Sequence, residues 1–205
     1  MKIMTLNVNG FKGNGEGEVK ENKTKCDENI NQIKNLINDI VINKNDIIIL
    51  QEIPHMFFDL KERTWSYEPL YEEFKKMFSE YKVLVPKNLI NSNQCTVAIC
   101  KNDSSWEQHP EDILKYDKKN SYGNKFVELK CGYITLLGVH MPMDNNMWDL
   151  LIETLKGEPY TYVIGDFNAN EKRGEMQYMP SKIRDCWYNP LIPNNKITYY
   201  PGQSS

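Results

Sequence analysis

The sequence predicts an α/β fold, on three observations. Short apolar runs rich in Ile, Val and Leu recur along the chain and stop at polar residues, as buried strands do. Elsewhere apolar residues fall at helical spacing, most clearly Ile30, Ile33, Ile37, Ile40 and Val41. The two kinds of segment alternate, and no repeat or linker interrupts them, so residues 1–205 read as one domain.

The elements follow in order. Residues 2–6 form a strand that ends at Asn7, and the glycine-rich stretch 10–17 is a surface excursion, because it lacks the spacing of a phosphate-binding loop. A helix through Ile30 and Ile37 packs on the sheet until residues 43–46 break it. Residues 47–50 make a second strand, ending at Gln51 and Glu52. A loop over 53–66 leads to a helix whose stripe of Tyr71, Phe74, Met77 and Phe78 belongs in the core. Strands are expected over 83–85, 96–100, 125–129 and 133–139, the last two joined by a hairpin at Cys131 and Gly132. A helix over 147–155 feeds a buried strand, 160–164, and beyond Asn170 the chain is rich in loops.

Chemistry gathers at strand ends. Residues two apart on a strand share a face, so Asp166 and Asn168 can reach one ligand while Phe167 turns to the core and Gly165 lets the backbone turn. Asn7 and Glu52 end two further strands. Together Asn7, Glu52, Asp166 and Asn168 offer hard oxygen donors with no thiolate or imidazole cluster, which suits Mg²⁺ or Mn²⁺ better than Zn²⁺. Magnesium keeps several waters and needs only one or two carboxylates beside a substrate phosphate. The chemistry implied is metal-assisted phosphoester hydrolysis.

With these motifs the chain resembles the endonuclease/exonuclease/phosphatase superfamily, whose members include deoxyribonuclease I, exonuclease III, sphingomyelinases and inositol polyphosphate phosphatases. Met4-Thr5-Leu6-Asn7-Val8-Asn9-Gly10 is similar to its first motif, Leu50-Gln51-Glu52 to its second, Gly138-Val139-His140 to its third and Gly165-Asp166-Phe167-Asn168-Ala169 to its fourth. The resemblance implies a four-layered αββα sandwich of the deoxyribonuclease I-like type, with the motif residues at one rim. It also implies roles. Glu52 holds the metal, with Asn7 beside it on metal water or phosphate. Asp166 is a further metal ligand or orients the attacking water. Asn168 donates to a phosphate oxygen, and His140 binds phosphate or assists the leaving group. His55, just past Glu52, is a candidate substrate contact, whereas His109 reads as a surface turn. Exonuclease III-like members usually carry tyrosine where this chain has His140, which tilts the third motif toward the other branches.

One departure matters. The family continues through an Asp-bearing strand to a late Ser-Asp-His motif, while this sequence stops at Ser205 after a segment, 197–202, that resembles the approach to that strand. The expectation is a C-terminally incomplete domain whose second sheet lacks its final strands, to be completed by a further segment or a partner. Two functions follow: a Mg²⁺- or Mn²⁺-dependent phosphodiesterase or phosphatase acting on phosphoesters, nucleic acid among them, or a noncatalytic domain that binds metal, phosphate or a protein.

Composition narrows the setting. A formal charge of -3, with 26% charged residues, provides no global basic field for tight nonspecific nucleic-acid binding. Lys20, Lys23 and Lys25, and separately Lys118, Lys119 and Lys125, read as solvated surface before they read as phosphate contacts. The 5 cysteines show no C-x-x-C spacing, and those at 95, 100, 131 and 186 sit in or beside apolar runs as small buried hydrophobes. With neither a secretory leader nor an apolar run long enough to span a membrane, a cytoplasmic location is expected.

Overall fold

Strand β2 (Ile47–Pro54) organises the molecule, because its alternating apolar residues are buried on both faces. Ile48 and Leu50 face one core with Ile30, Ile37 and Val41, the apolar face of helix α1 (Lys23–Ile40) and the residue just after it. Ile47 and Ile49 face a second core, shared with Val127, Leu129 and Leu136 of the opposite sheet. The computed structural model describes residues 1–11, 23–54, 58–59, 64–65, 79–87, 94–115, 121–157 and 161–168.

The first sheet has the order β1-β2-β6-β5, with β1 (Ile3–Asn7) parallel to β2, and β6 (Gln94–Lys101) antiparallel to both β2 and β5 (Tyr81–Leu84). Residues 58–59 (β3) and 64–65 (β4) pair as a separate short ribbon where sequence suggested only loop. The second sheet has the order β10-β9-β8-β7. Here β7 (Glu107–Gln108), β8 (Phe126–Cys131) and β9 (Ile134–His140) are antiparallel neighbours, and β10 (Thr161–Asp166) runs parallel to β9. Helix α2 (Asn145–Gly157) covers the outer face of that sheet, where Met147, Trp148 and Leu151 pack on Leu137 and Val139. The layers are therefore α1, first sheet, second sheet, α2: the expected αββα sandwich.

Two glycines make this packing possible. Gly138 lies between the sheets, where a Cβ would come 2.7 Å from both Ile49 Cγ2 and Val127 Cγ1. Gly165 does not turn the chain, as its sequence context suggested. It lies within β10, paired with Val139, at φ 154°, and a Cβ there would fall 1.9 Å from the Val139 carbonyl oxygen. The hairpin at Cys131 and Gly132 is as expected, with Gly132 at φ 62°.

Other expectations need correction. The strand ending at Asp166 is half-buried rather than buried, with Tyr162 exposed, because among the described residues it is paired only to β9. The glycine-rich stretch does not begin as a surface excursion: Asn9–Phe11 form a short 3-10 turn and Phe11 enters the first core. Phe167 turns to the core as expected, stacked on buried Trp148 at a centroid distance of 5.7 Å. The expected helix over 71–78 and the loop-rich segment beyond Asn170 lie outside the described residues. No helix among the described residues is long and apolar enough to cross a membrane.

Candidate functional site

Parallel pairing aligns strand ends, and that property builds the site. Because β1 and β2 are parallel, Asn7 lies beside Gln51 at the end of the register, and Val8 N donates to the Gln51 carbonyl at 3.0 Å. Because β9 and β10 are parallel, Asp166 lies beside His140, and Met141 N donates to the Asp166 carbonyl at 2.8 Å. The two sheets bring both pairs to one rim.

Glu52 reaches that rim through a bulge. Leu50 pairs with Val97 and Ile53 with Cys95, so Gln51 and Glu52 together oppose Thr96. Glu52 takes a left-handed conformation, φ 61°. The extra residue explains why Leu50 and Ile53, three apart, both face the first core. Glu52 thus stands inside β2, not at its end as the sequence suggested. Gln51 turns inward and donates to Thr5 Oγ1 at 2.7 Å. Asn9 and Asn168 also have positive φ, 47° and 49°, so backbone strain concentrates around this rim.

Asn7 joins the cluster. Its Nδ2 donates to Glu52 Oε1 at 3.0 Å and to Asp166 Oδ2 at 2.8 Å, one amide nitrogen bridging two carboxylates from different sheets. Asn9 N donates to Asn7 Oδ1 at 2.8 Å, which fixes this orientation. Asn7 was expected to offer oxygen to a cation; as placed, it turns its nitrogen to the carboxylates instead. Gln94 Nε2 donates to the second oxygen of Glu52 at 3.1 Å, and Asn168 N to Asp166 Oδ1 at 2.8 Å. The Asn168 side chain, expected to face phosphate, donates to the Met141 carbonyl at 2.7 Å and so ties the ends of β9 and β10 together.

His140 is buried, with Nε2 3.6 Å from Glu52 Oε1 and Nδ1 3.0 Å from Lys125 Nζ. Burial, and then the Lys125 charge, hold its pKa below the ordinary histidine value against the opposing pull of Glu52 and Asp166. Lys125 is half-buried at the end of the short 3-10 helix Ser121–Lys125. Its pKa is also lowered by burial, while Glu52, Asp166 and Cys95 act in the opposite sense.

The sequence reading grouped Lys125 with solvated surface lysines, and it did not single out Gln94. Neither lies in a motif, and only tertiary pairing brings them here. His55 lies outside the described residues, and His109, expected in a surface turn, is half-buried just after β7, where its backbone N–H donates to the Glu128 carbonyl of β8 at 2.8 Å. No group of three or more His, Cys, Asp or Glu side chains poised for a metal occurs among the described residues. Glu52 and Asp166, whose oxygens converge on the Asn7 amide nitrogen, are the two carboxylates of the rim that could hold a hard cation.

No protein-family model and no curated protein matches the chain. Its fold is similar to that of an endonuclease/exonuclease/phosphatase family protein from Bacteroides thetaiotaomicron, with a TM-score of 0.52 and 10% identity, over 88% of this chain and 66% of that one. TDP2 from C. elegans is matched with a TM-score of 0.49 and 17% identity over 87% of this chain and 50% of that one. An AP endonuclease from Archaeoglobus fulgidus is matched at 0.48 and 16%, over 82% and 58%. The chain thus spans about half to two thirds of the length of these structures. The fold is that of the endonuclease/exonuclease/phosphatase superfamily, as the four motifs led one to expect.

Proposed function

We propose that this chain, built on the endonuclease/exonuclease/phosphatase fold, is a phosphoester hydrolase whose reacting phosphate lies at the rim where β1, β2, β9 and β10 meet. The observation that carries this reading is the bridging of Glu52 and Asp166 by Asn7, which joins residues as far as 159 positions apart into one polar cluster beside His140. A fold-stabilising role alone would not require two carboxylates to converge, because like charges brought together cost stability.

Glu52 and Asp166 would hold a Mg²⁺ or Mn²⁺ ion, which when bound would polarise a phosphoryl oxygen and offset the charge that grows in the reaction. The chain's own groups do the remaining work. Asn7 holds the carboxylates in register. Asp166, fixed at both oxygens by Asn7 and by Asn168 N, orients the attacking water. His140 turns Nε2 toward the same space and serves a phosphate or leaving-group oxygen. Asn168 braces the rim through Met141. The substrates in view are phosphodiesters, nucleic acid among them.

The test is nicking of supercoiled DNA and hydrolysis of bis(p-nitrophenyl) phosphate in Mg²⁺ or Mn²⁺, with EDTA and Asp166→Ala as controls. The expected result is metal-dependent turnover that falls by roughly 10²–10⁴ in the variant, the usual worth of a positioned catalytic group. Binding of Mn²⁺ with no turnover on either substrate, or turnover indifferent to Asp166→Ala, would overturn the reading.

A further inference from the structure

Lys125 enters the rim from an element that carries none of the four motifs. Its ammonium nitrogen is 3.0 Å from Nδ1 of His140, whereas Glu52 and Asp166 act on it through space. The backbone holds it there: the Lys125 carbonyl accepts the hydroxyl of Thr96 at 3.1 Å, and Thr96 is the residue opposite the bulge that presents Glu52. The lysine and the glutamate are thus set by the two sides of one irregularity in the first sheet.

The chemistry of the contact has a direction. An ammonium carries three donors and no acceptor, so the imidazole nitrogen facing it accepts, and a neutral ring then bears its proton on Nε2. Nε2 is the nitrogen turned toward Glu52 Oε1, at 3.6 Å. That separation is too long for a direct hydrogen bond and fits a third oxygen shared between the two groups.

We infer that Lys125 is a positioning residue for the hydrolysis proposed above: by donating to Nδ1 it fixes the Nε2–H tautomer of His140 and aims a proton donor at the oxygen between His140 and Glu52. Its catalytic meaning rests on the proposed function, but the tautomer is a property of the chain alone. Lys125 also places a positive charge beside the carboxylates of Glu52 and Asp166, which favours approach of an anionic phosphoester.

The test separates the two readings. The full chain labelled with ¹⁵N-histidine is examined by NMR in EDTA at a pH where the imidazole is neutral; the 3 histidines are assigned with His140→Gln. The expected spectrum shows His140 with Nε2 protonated and Nδ1 bare. Lys125→Met should give a tautomer mixture, and Lys125→Arg, which retains a donor, should keep the single form. In the hydrolysis assay Lys125→Met should lower kcat about tenfold or more with a smaller change in KM, and Lys125→Arg should recover part of it. Protonated Nδ1 in the unsubstituted chain overturns the inference whether or not the variants fold, as does an unchanged tautomer in folded Lys125→Met. A fixed tautomer in a chain that hydrolyses nothing would sink the proposed function and leave the placement of Lys125 standing.

Discussion

Replacing Gly165 by alanine should be among the most damaging single-methyl additions in this molecule. The new Cβ would stand 1.9 Å from the Val139 carbonyl oxygen and within 2.8 Å of the Val139 carbonyl carbon and amide nitrogen. Carbon and oxygen ordinarily approach to about 3.3 Å, so β10 must move from β9 by more than ~1 Å. Backbone atoms, unlike side-chain ends, cannot swing aside. Losing two ladder hydrogen bonds at about 1 kcal/mol each, with a further ~1–2 kcal/mol for the positive φ, gives a cost of about 3–4 kcal/mol. Two other glycines separate the contributions. Gly132 has φ 62° and open space around it, so alanine there should cost only about 1 kcal/mol. Gly138 would press its methyl on Ile49 and Val127 side chains, an overpacking cost of about 1–3 kcal/mol. Urea unfolding followed by tryptophan fluorescence reads all three. With a slope of roughly 2 kcal/mol/M, Gly165→Ala should lower the midpoint by about 1.5–2 M. Equal midpoints for Gly165→Ala and Gly132→Ala would refute the claim that β9 and β10 meet this closely.

Two further outcomes are expected. Asn7→Ala leaves Glu52 Oε1 and Asp166 Oδ2 without their shared donor and should destabilise the chain by about 1–3 kcal/mol in EDTA, a deficit that shrinks in Mn²⁺; the same deficit in both buffers would mean that the carboxylates do not share a cation. Burial acts to raise the pKa of Asp46, but hydrogen bonds from the backbone of Asn43 and Lys2 and from the Asn43 side chain, with the N-terminal charge, leave it lowered. Its stabilising effect is therefore complete above the ordinary aspartate value of about 3.9 and disappears as the pH falls through the lowered folded value. The stability gap between Asp46→Asn and the unsubstituted chain should be wide at pH 6 and narrow below about pH 4, as urea midpoints at each pH would show.

Much of the architecture was legible because it follows from local rules. Period and composition located α1, α2 and most of the strands, since a buried face must recur at the period of its element. Asn7, His140 and Asp166 were legible for the same reason: each closes an apolar run, and parallel pairing carries such ends to one rim. Three features were hidden. The bulge at Glu52 leaves only the odd spacing of Leu50 and Ile53 as its trace, and that spacing has meaning only against the register of β6. Gly165 resembled a turn residue because what requires glycine there is the backbone of another strand. Lys125 stood among surface lysines until its ammonium met His140 Nδ1 at 3.0 Å, 15 positions away.

The sequence by itself determined the class of the fold, the four motif positions and the oxygen-rich character of the site, because burial period and donor chemistry are carried by residues near one another in the chain. Tertiary structure alone decided the partners: that Asn7 turns its nitrogen to both carboxylates, that Asn168 braces Met141, and that Lys125 meets His140. Hydrogen-bond direction and charge act over a few ångströms between groups that sequence separates widely, so they exist only once the two sheets have closed on each other.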